Sequence, residues 1–368
     1  EAGGIHVRQS PFDGKVIDIK FFNAKGRDIS LKQEKSIEQL FYREDFKRAD
    51  LNDIGEIIVP PRAVDYYRTG YLNTIKKDII QNSHQKLVID YANSSASMIF
   101  PAILGELGID VVALNAFVTS SGSKTTSTDD FQNSLSQLSN IVTTLDSSAG
   151  FLIDSGAEKL FFVDEKGKVL HNDLSMFVAA YLAMKTNSIK NVSIAVPVYA
   201  SSAIEVLAKK FKVKVKRTGT SPRNIMDVAS EENIIFVGDS QGGFIFPQFQ
   251  AAFDAMFAIG KIVEMLAEVK MPLSAVAKQI PPLCVLHKAV ACSWDKKGQT
   301  MRNAIEHSKH KKSELIDGVK IYLSDSSWVL LVPDPDDTFF HVWAEAKKMA
   351  SAKTIIDTYE KKVKEWQA

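Results

Sequence analysis

The sequence predicts an α/β protein of repeated βαβ domains, closed by a separate α+β domain. Three observations carry that prediction. The apolar run Leu87-Val88-Ile89-Asp90 leads through Asn93-Ser94-Ser95-Ala96 to a helical pattern at residues 97–107, a stop at Gly108 and a β-rich run at 111–114. The same order returns at residues 192–198, through Ala200-Ser201-Ser202-Ala203, a helix at 204–211 and a strand at 213–215. Tandem βαβ units of this kind imply parallel sheets and at least two related domains. Each unit is followed by a similar hairpin, at 150–163 and 233–246, and beyond Met271-Pro272 the texture changes to strands and amphipathic helices.

The bulk properties agree. The 368 residues are enough for more than one core, and the 45% hydrophobic and 24% charged content is that of a globular protein. A net charge of +1 gives no argument for a nucleic-acid or membrane partner. Cys284 and Cys292 are the only cysteines, too few for a disulfide framework, so a reducing cytoplasm is the expected location. The start Glu1-Ala2-Gly3-Gly4 has no Met and no signal-peptide pattern, and reads as beginning inside something larger.

In chain order, residues 4–11 and 16–22 read as short strands, with Asn23-Ala24-Lys25-Gly26 as a turn after the second. Residues 31–46 form an amphipathic pattern with Ile37, Leu40 and Phe41 on one face, and 62–80 is a second helical candidate. The Ser-Ser-Ala turns after residues 90 and 198 suit helix caps first and ligand contacts second. Residues 120–128 are a Ser/Thr-rich loop, and 173–184 a strongly apolar helix. Residues 253–269 are a core helix, with Met256, Ile259, Ile262, Val263 and Leu266 at helical spacing. The last region carries strands at 285–292, 319–322, 328–331 and 339–344, a helix near 301–307 and a charged amphipathic helix at 350–366.

The chemistry centres on residues 150–168. Asp154 and Glu158 flank small residues between two β-rich runs, so both carboxylates can reach one point above a strand end, as a Mg²⁺ site requires. The competing reading is an ordinary solvated turn.

The order Asp154, Glu158, Leu160, Asp164, Gly167 resembles the metal loop of the α-D-phosphohexomutases (phosphomannomutase and phosphoglucomutase), Asp-x-Asp-x-Asp-Arg-Leu followed by a strand and Asp-x-x-Gly. Gly156 replaces the middle carboxylate and Lys159 the Arg. Counting back from Ile19-Lys20-Phe21-Phe22 puts Ser10 at the family's catalytic serine, although Pro11, Phe12 and Asp13 stand where His, Asn and Pro belong; alternatively, Ser10 only ends a strand. Gly238-Asp239-Ser240-Gln241-Gly242-Gly243 is similar to the sugar loop Gly-Glu-x-Ser-Gly-His, unless it is simply a tight turn. Val332-Pro333-Asp334-Pro335-Asp336-Asp337-Thr338 stands in place of the phosphate clamp Arg-Pro-Ser-Gly-Thr-Glu-Pro.

The resemblance implies a phosphohexomutase-like multidomain fold: an N-terminally truncated domain I at 1–84, domain II with the metal loop at 85–163, domain III with the sugar loop at 164–268 and domain IV at 269–368. It implies Ser10 as phosphoryl carrier with Lys20 near the transferred group, Asp154 and Glu158 on Mg²⁺ at a weakened site, and Asp239, Gln241 and Arg217 on the sugar. No phosphate-binding residue is expected in the clamp, because aspartates replace its Arg and hydroxyl donors. The serine and clamp loops look like those of the mutase-like half of mannose-1-phosphate guanylyltransferase fusions, so a fused or associated nucleotidyltransferase joins hexose phosphate as an expected partner. Charge missing at three loops favours a binding or regulatory module of a nucleotide-sugar pathway. The alternative is an active phosphomannomutase or phosphoglucomutase moving phosphate between the 1 and 6 positions of a hexose phosphate.

Overall fold

The computed structural model describes residues 3–9, 15–44, 48–59, 62–118, 127–335 and 337–367. Ser10, Asp336 and most of the Ser/Thr-rich loop lie outside them. The chain divides into two compact units, Glu1–Leu170 with Gly243–Ser274, and His171–Gly242 with Ala275–Ala368.

The first unit holds a five-stranded sheet in the order Asp110–Leu114, Lys86–Asp90, Ala149–Ile153, Leu160–Asp164, Val169–Leu170. The first three strands are parallel and the last two antiparallel. Lys86–Asp90 lies inside the sheet between two parallel neighbours, which is why Leu87, Val88 and Ile89 form an unbroken apolar run rather than an alternating one. Gly108 ends helix Ala96–Glu106 with a φ of +69°, a left-handed conformation that costs glycine little. Helix Thr128–Thr144 packs Leu135, Leu138 and Val142 against Val88, Leu152 and Val163. Phe131, Leu135, Leu138 and Val142 recur at helical spacing along this Ser-rich stretch, a helix absent from the sequence-based expectation.

Ahead of this sheet, Gly3–Gln9 and Ile17–Asn23 form an antiparallel hairpin. Its register sorts the side chains by character. Arg8 lies opposite Asp18 and His6 opposite Lys20 on one face, and Val7 lies opposite Ile19 and Ile5 opposite Phe21 on the other. Ile5, Val7 and Ile19 remain 66%, 60% and 53% exposed. Helix Leu31–Arg43 starts with a capping box between Ser30 and Gln33, ends three residues before the periodicity predicts, and buries none of its residues. The second helical candidate is two elements, Ala63–Thr74 and Lys77–Gln81.

The second unit repeats the βαβ order. Ser193–Pro197 lies between parallel neighbours Lys214–Thr218 and Ile234–Gly238, as Lys86–Asp90 does between its own. The two Ser-Ser-Ala turns therefore follow equivalent strands of separate sheets. The unit also holds an antiparallel sheet ordered Val285–Ala291, Phe339–Glu345, Ser327–Pro333, Val319–Ser324, Ser313–Glu314. Helices Trp294–Ser308 and Met349–Trp366 accompany it, and Ile356, Tyr359 and Val363 join Ile321, Leu331, Phe340 and Val342 in one core. The predicted α/β and α+β architecture is the one found. Among the described residues, no helix is long and apolar enough to cross a membrane.

Candidate functional site

In the first unit the site is the loop joining strands Ala149–Ile153 and Leu160–Asp164. Asp154 builds it. Its Oδ1 accepts from the backbone N–H groups of Glu158 and Lys159 at 2.7 and 2.8 Å, and its carbonyl oxygen accepts from Ala157. Burial raises the Asp154 pKa, while these N–H groups pull it back down. Glu158 accepts both bonds of the Lys20 ammonium, at 2.8 and 3.1 Å. Three residues singled out in the sequence, Lys20, Asp154 and Glu158, are thus brought together.

Arg8 is the residue sequence reasoning missed. It shares the polar face of the hairpin with Lys20, and its Nη1 would lie 2.6 Å from a Cβ placed on Gly156. The glycine that stands where the family has a carboxylate makes room for a guanidinium. The signal was available: His6, Arg8, Asp18 and Lys20 are the alternate polar positions of two apolar strands. Lys159, in place of the family's Arg, sits 4.3 Å from the centre of the Phe253 ring, and Ala157 accepts from the Ala255 N–H. Among the described residues no cluster of three or more His, Cys, Asp or Glu side chains is arranged to hold a metal ion.

In the second unit, Asp239 is buried and its Oδ1 accepts from the Gln241 N–H at 2.9 Å, a turn-forming bond; Gln241 itself is exposed. Arg217 bonds Glu205 through Nε and Nη2, and the carbonyls of Pro197, Ala200 and Ser201 through its two terminal nitrogens. Its guanidinium holds the turn after strand Ser193–Pro197. That turn is gripped from its other side by Glu345, which accepts from Ser201 Oγ, the Ser202 N–H and Trp328 Nε1. Asp173 accepts from the Ser201 N–H, and burial pushes it up to about 6. Lys320, also buried, donates to the Val198 carbonyl at 2.8 Å and is pulled down by burial to about 8.

The clamp segment is built differently from the motif it replaces. Val332, in the place of Arg, is 4% exposed and packs with Val198, Tyr199, Trp328 and Leu330. Asp334 Oδ1 accepts from the Asp337 N–H at 2.8 Å, and Oδ2 lies 2.7 Å from His341 Nε2. Below the loop, the Lys297 ammonium donates to the carbonyls of Asp334 and Asp337. Neither Lys297 nor His341 was picked out from the sequence, because neither lies within the motif.

Parallel βαβ units, an antiparallel α+β domain and a carboxylate loop faced by cations define the phosphohexomutase class of fold. A phosphoglucomutase/phosphomannomutase family protein from Burkholderia thailandensis superimposes with a TM-score of 0.79 at 16% identity, over 99% of this chain and 76% of that one. An Aspergillus fumigatus N-acetylphosphoglucosamine mutase, solved with GlcNAc-6P and magnesium, gives 0.66 at 12% identity, over 100% and 89%. The family models for phosphoglucomutase/phosphomannomutase α/β/α domain II, at residues 69–167, and domain III, at 171–284, together span more than half of the chain. The chain belongs to this family, within the α-D-phosphohexomutase superfamily. Phosphoglucosamine mutase from Methanocaldococcus jannaschii is 26% identical over 98% of this chain and 81% of its own length. A phosphoglucomutase/phosphomannomutase from Thermococcus kodakarensis is 26% identical over 96% and 77%.

These relatives overturn the non-catalytic regulatory module expected from the sequence, since they carry mutase names along nearly the whole chain. The expectation scored charge motif by motif. In three dimensions Arg8 and Lys20 reach the carboxylate loop from another element, and Lys297 and His341 reach the clamp segment.

Proposed function

We propose that the chain is a phosphohexose mutase, moving phosphate between the 1 and 6 positions of a hexose or hexosamine phosphate. The observation that carries the reading is similarity along 96–98% of the chain to phosphoglucosamine and phosphoglucomutase/phosphomannomutase enzymes. Support comes also from Lys20 and Arg8 meeting the Asp154–Glu158 loop, since phosphoryl transfer needs positioning and positive charge more than covalent chemistry. Ser10 is the proposed phosphoryl carrier, with Lys20 beside the transferred group and Asp239, Gln241 and Arg217 toward the sugar.

Magnesium belongs to the proposal. Asp154 Oδ1 is committed to backbone N–H groups and Glu158 to Lys20, so the donor set fits Mg²⁺ only if water or phosphate oxygens complete it, as Mg²⁺ sites ordinarily allow. Asp154 Oδ2 and Glu158 would hold the ion, which would neutralise charge on the phosphoryl group. A fused or associated nucleotidyltransferase finds no support in these relatives and forms no part of the reading.

The test is a coupled mutase assay with Mg²⁺ on glucose 1-phosphate, mannose 1-phosphate and glucosamine 1-phosphate, primed with the matching bisphosphate. Intact mass after incubation with glucose 1,6-bisphosphate should show one added phosphoryl group, lost in Ser10→Ala. No turnover on any of the three sugars would refute the mutase reading.

A further inference from the structure

Strands Val285–Ala291 and Phe339–Glu345 pair with His287 opposite Trp343 and Ala289 opposite His341, so the two histidines stand diagonally on one face. His341 Nε2 is 2.7 Å from Asp334 Oδ2, and His287 Nε2 is 2.9 Å from His341 Nδ1. Donor and acceptor roles follow from the carboxylate end. A carboxylate accepts, so His341 Nε2 carries hydrogen and donates to Asp334. With that hydrogen as its only ring proton, His341 accepts at Nδ1, and His287 donates from Nε2. His287 Nδ1 is left as an acceptor at the solvent end of the chain, on an exposed residue. Burial and the neighbouring His341 pull His287 down to about 4, which keeps it neutral near pH 7. Each bond in such a chain polarises the next, so the Asp334 charge strengthens the terminal acceptor.

The chain has a fixed position beside the sugar loop. The His287 ring stacks on Trp343 at 4.5 Å, Trp343 stacks on Tyr199 at 5.3 Å, and Tyr199 is hydrogen-bonded to Ser240. The Asp337 N–H fixes the Asp334 carboxylate from the other end. If these residues served only to hold the loop, Asp334 and His341 would suffice, and an exposed second imidazole in line would add nothing.

We propose that Asp334, His341 and His287 form a hydrogen-bond relay that presents His287 Nδ1 to a hydroxyl of a hexose phosphate. This face then recognises the sugar by a hydroxyl donor instead of by its phosphate. The ligand class rests on the mutase reading; the relay rests on the geometry.

Histidine Cε1–H resonances of the full chain are to be followed by NMR during titration with glucose 6-phosphate, mannose 6-phosphate and glucosamine 6-phosphate, with inorganic phosphate as control. The His287 resonance, assigned through His287→Phe, should move with at least one sugar phosphate and stay still with inorganic phosphate. His287→Phe and His341→Gln should each weaken binding of that sugar phosphate about five- to tenfold, the loss of one hydrogen bond, and the double variant should be no worse than either. A His287 resonance that ignores all three sugars, or answers inorganic phosphate equally, overturns the relay. Turnover without a His287 response refutes the relay and leaves the mutase reading standing; a His287 response without turnover does the reverse. Because His287 is exposed, its variant tests the idea even if His341→Gln fails to fold.

Discussion

Replacing Glu345 with Ala removes the acceptor for three donors at once: Ser201 Oγ, the Ser202 N–H and Trp328 Nε1. Glu345 is only 9% exposed, so water replaces few of these bonds. Hydrogen bonds to a charged acceptor contribute about 1.5 kcal/mol each at the low end, so the three together come to about 4.5 kcal/mol before any rewiring. One of the donors has a second acceptor, since Trp328 Nε1 lies 2.9 Å from Ser202 Oγ, whereas the bond of Ser201 Oγ to the Ala203 N–H is one it accepts and leaves its own hydrogen unpaired. That local rewiring brings the expected loss to about 3 kcal/mol. For a unit of this size the melting temperature should fall by about 6–12 °C. Differential scanning calorimetry measures the shift, and urea unfolding checks it as a change in midpoint at constant slope. Trp328→Phe in the same background should then cost much less than it does alone. A loss under about 1 kcal/mol, or full additivity of the two changes, would refute the reasoning.

Asp173→Asn tests a pH dependence. The folded-state pKa is raised to about 6, so the native state holds a proton that the unfolded chain has released, and wild-type stability should fall as pH rises from about 4 to 6 and level off above. The Asn variant should lack that slope in urea titrations across the range. Lys20→Met should lower mutase kcat about a hundredfold or more in the coupled assay, with little change in melting temperature, because it removes a cation from the transferring group and only a part-exposed ion pair from the fold. Gly156→Ala should reduce activity as well, since its Cβ would displace the Arg8 guanidinium, and circular dichroism should show the fold intact. Val332→Arg, which restores the clamp residue by name, should instead destabilise the second unit by about 3 kcal/mol or more, because it puts an unpaired cation into the Val198–Tyr199–Trp328 core.

The fold was legible wherever apolar periodicity was strong. The runs at Leu87–Ile89 and Ile194–Val196, each followed by Ser-Ser-Ala, give the repeat without any tertiary information. Helix Thr128–Thr144 was missed because eight of its seventeen residues are Ser, Thr or Asn and read as loop, although Phe131, Leu135, Leu138 and Val142 recur at helical spacing. The site was half legible. Asp154, Glu158 and Lys20 were found because each falls on a motif position. Arg8, Lys297 and His341 were not, because their contribution is a distance between elements far apart in sequence. A motif records which residue type is missing from a loop and says nothing of what another strand delivers to it. Val332 stands in the motif where an Arg would contact the ligand; no phosphate contact was expected of it, and its surroundings make it core.

The close fit of Arg8 over Gly156 has an evolutionary consequence. A side chain at position 156 is tolerated only if position 8 retracts, and a shorter residue at position 8 leaves the loop without its guanidinium. The two positions are therefore expected to change together across orthologues, large with small, although nearly the whole of the first unit's sequence separates them. One covarying pair would record which of two electrostatic solutions each lineage adopted: a cation held among three carboxylates, or one held by two with an arginine in the space left by the third.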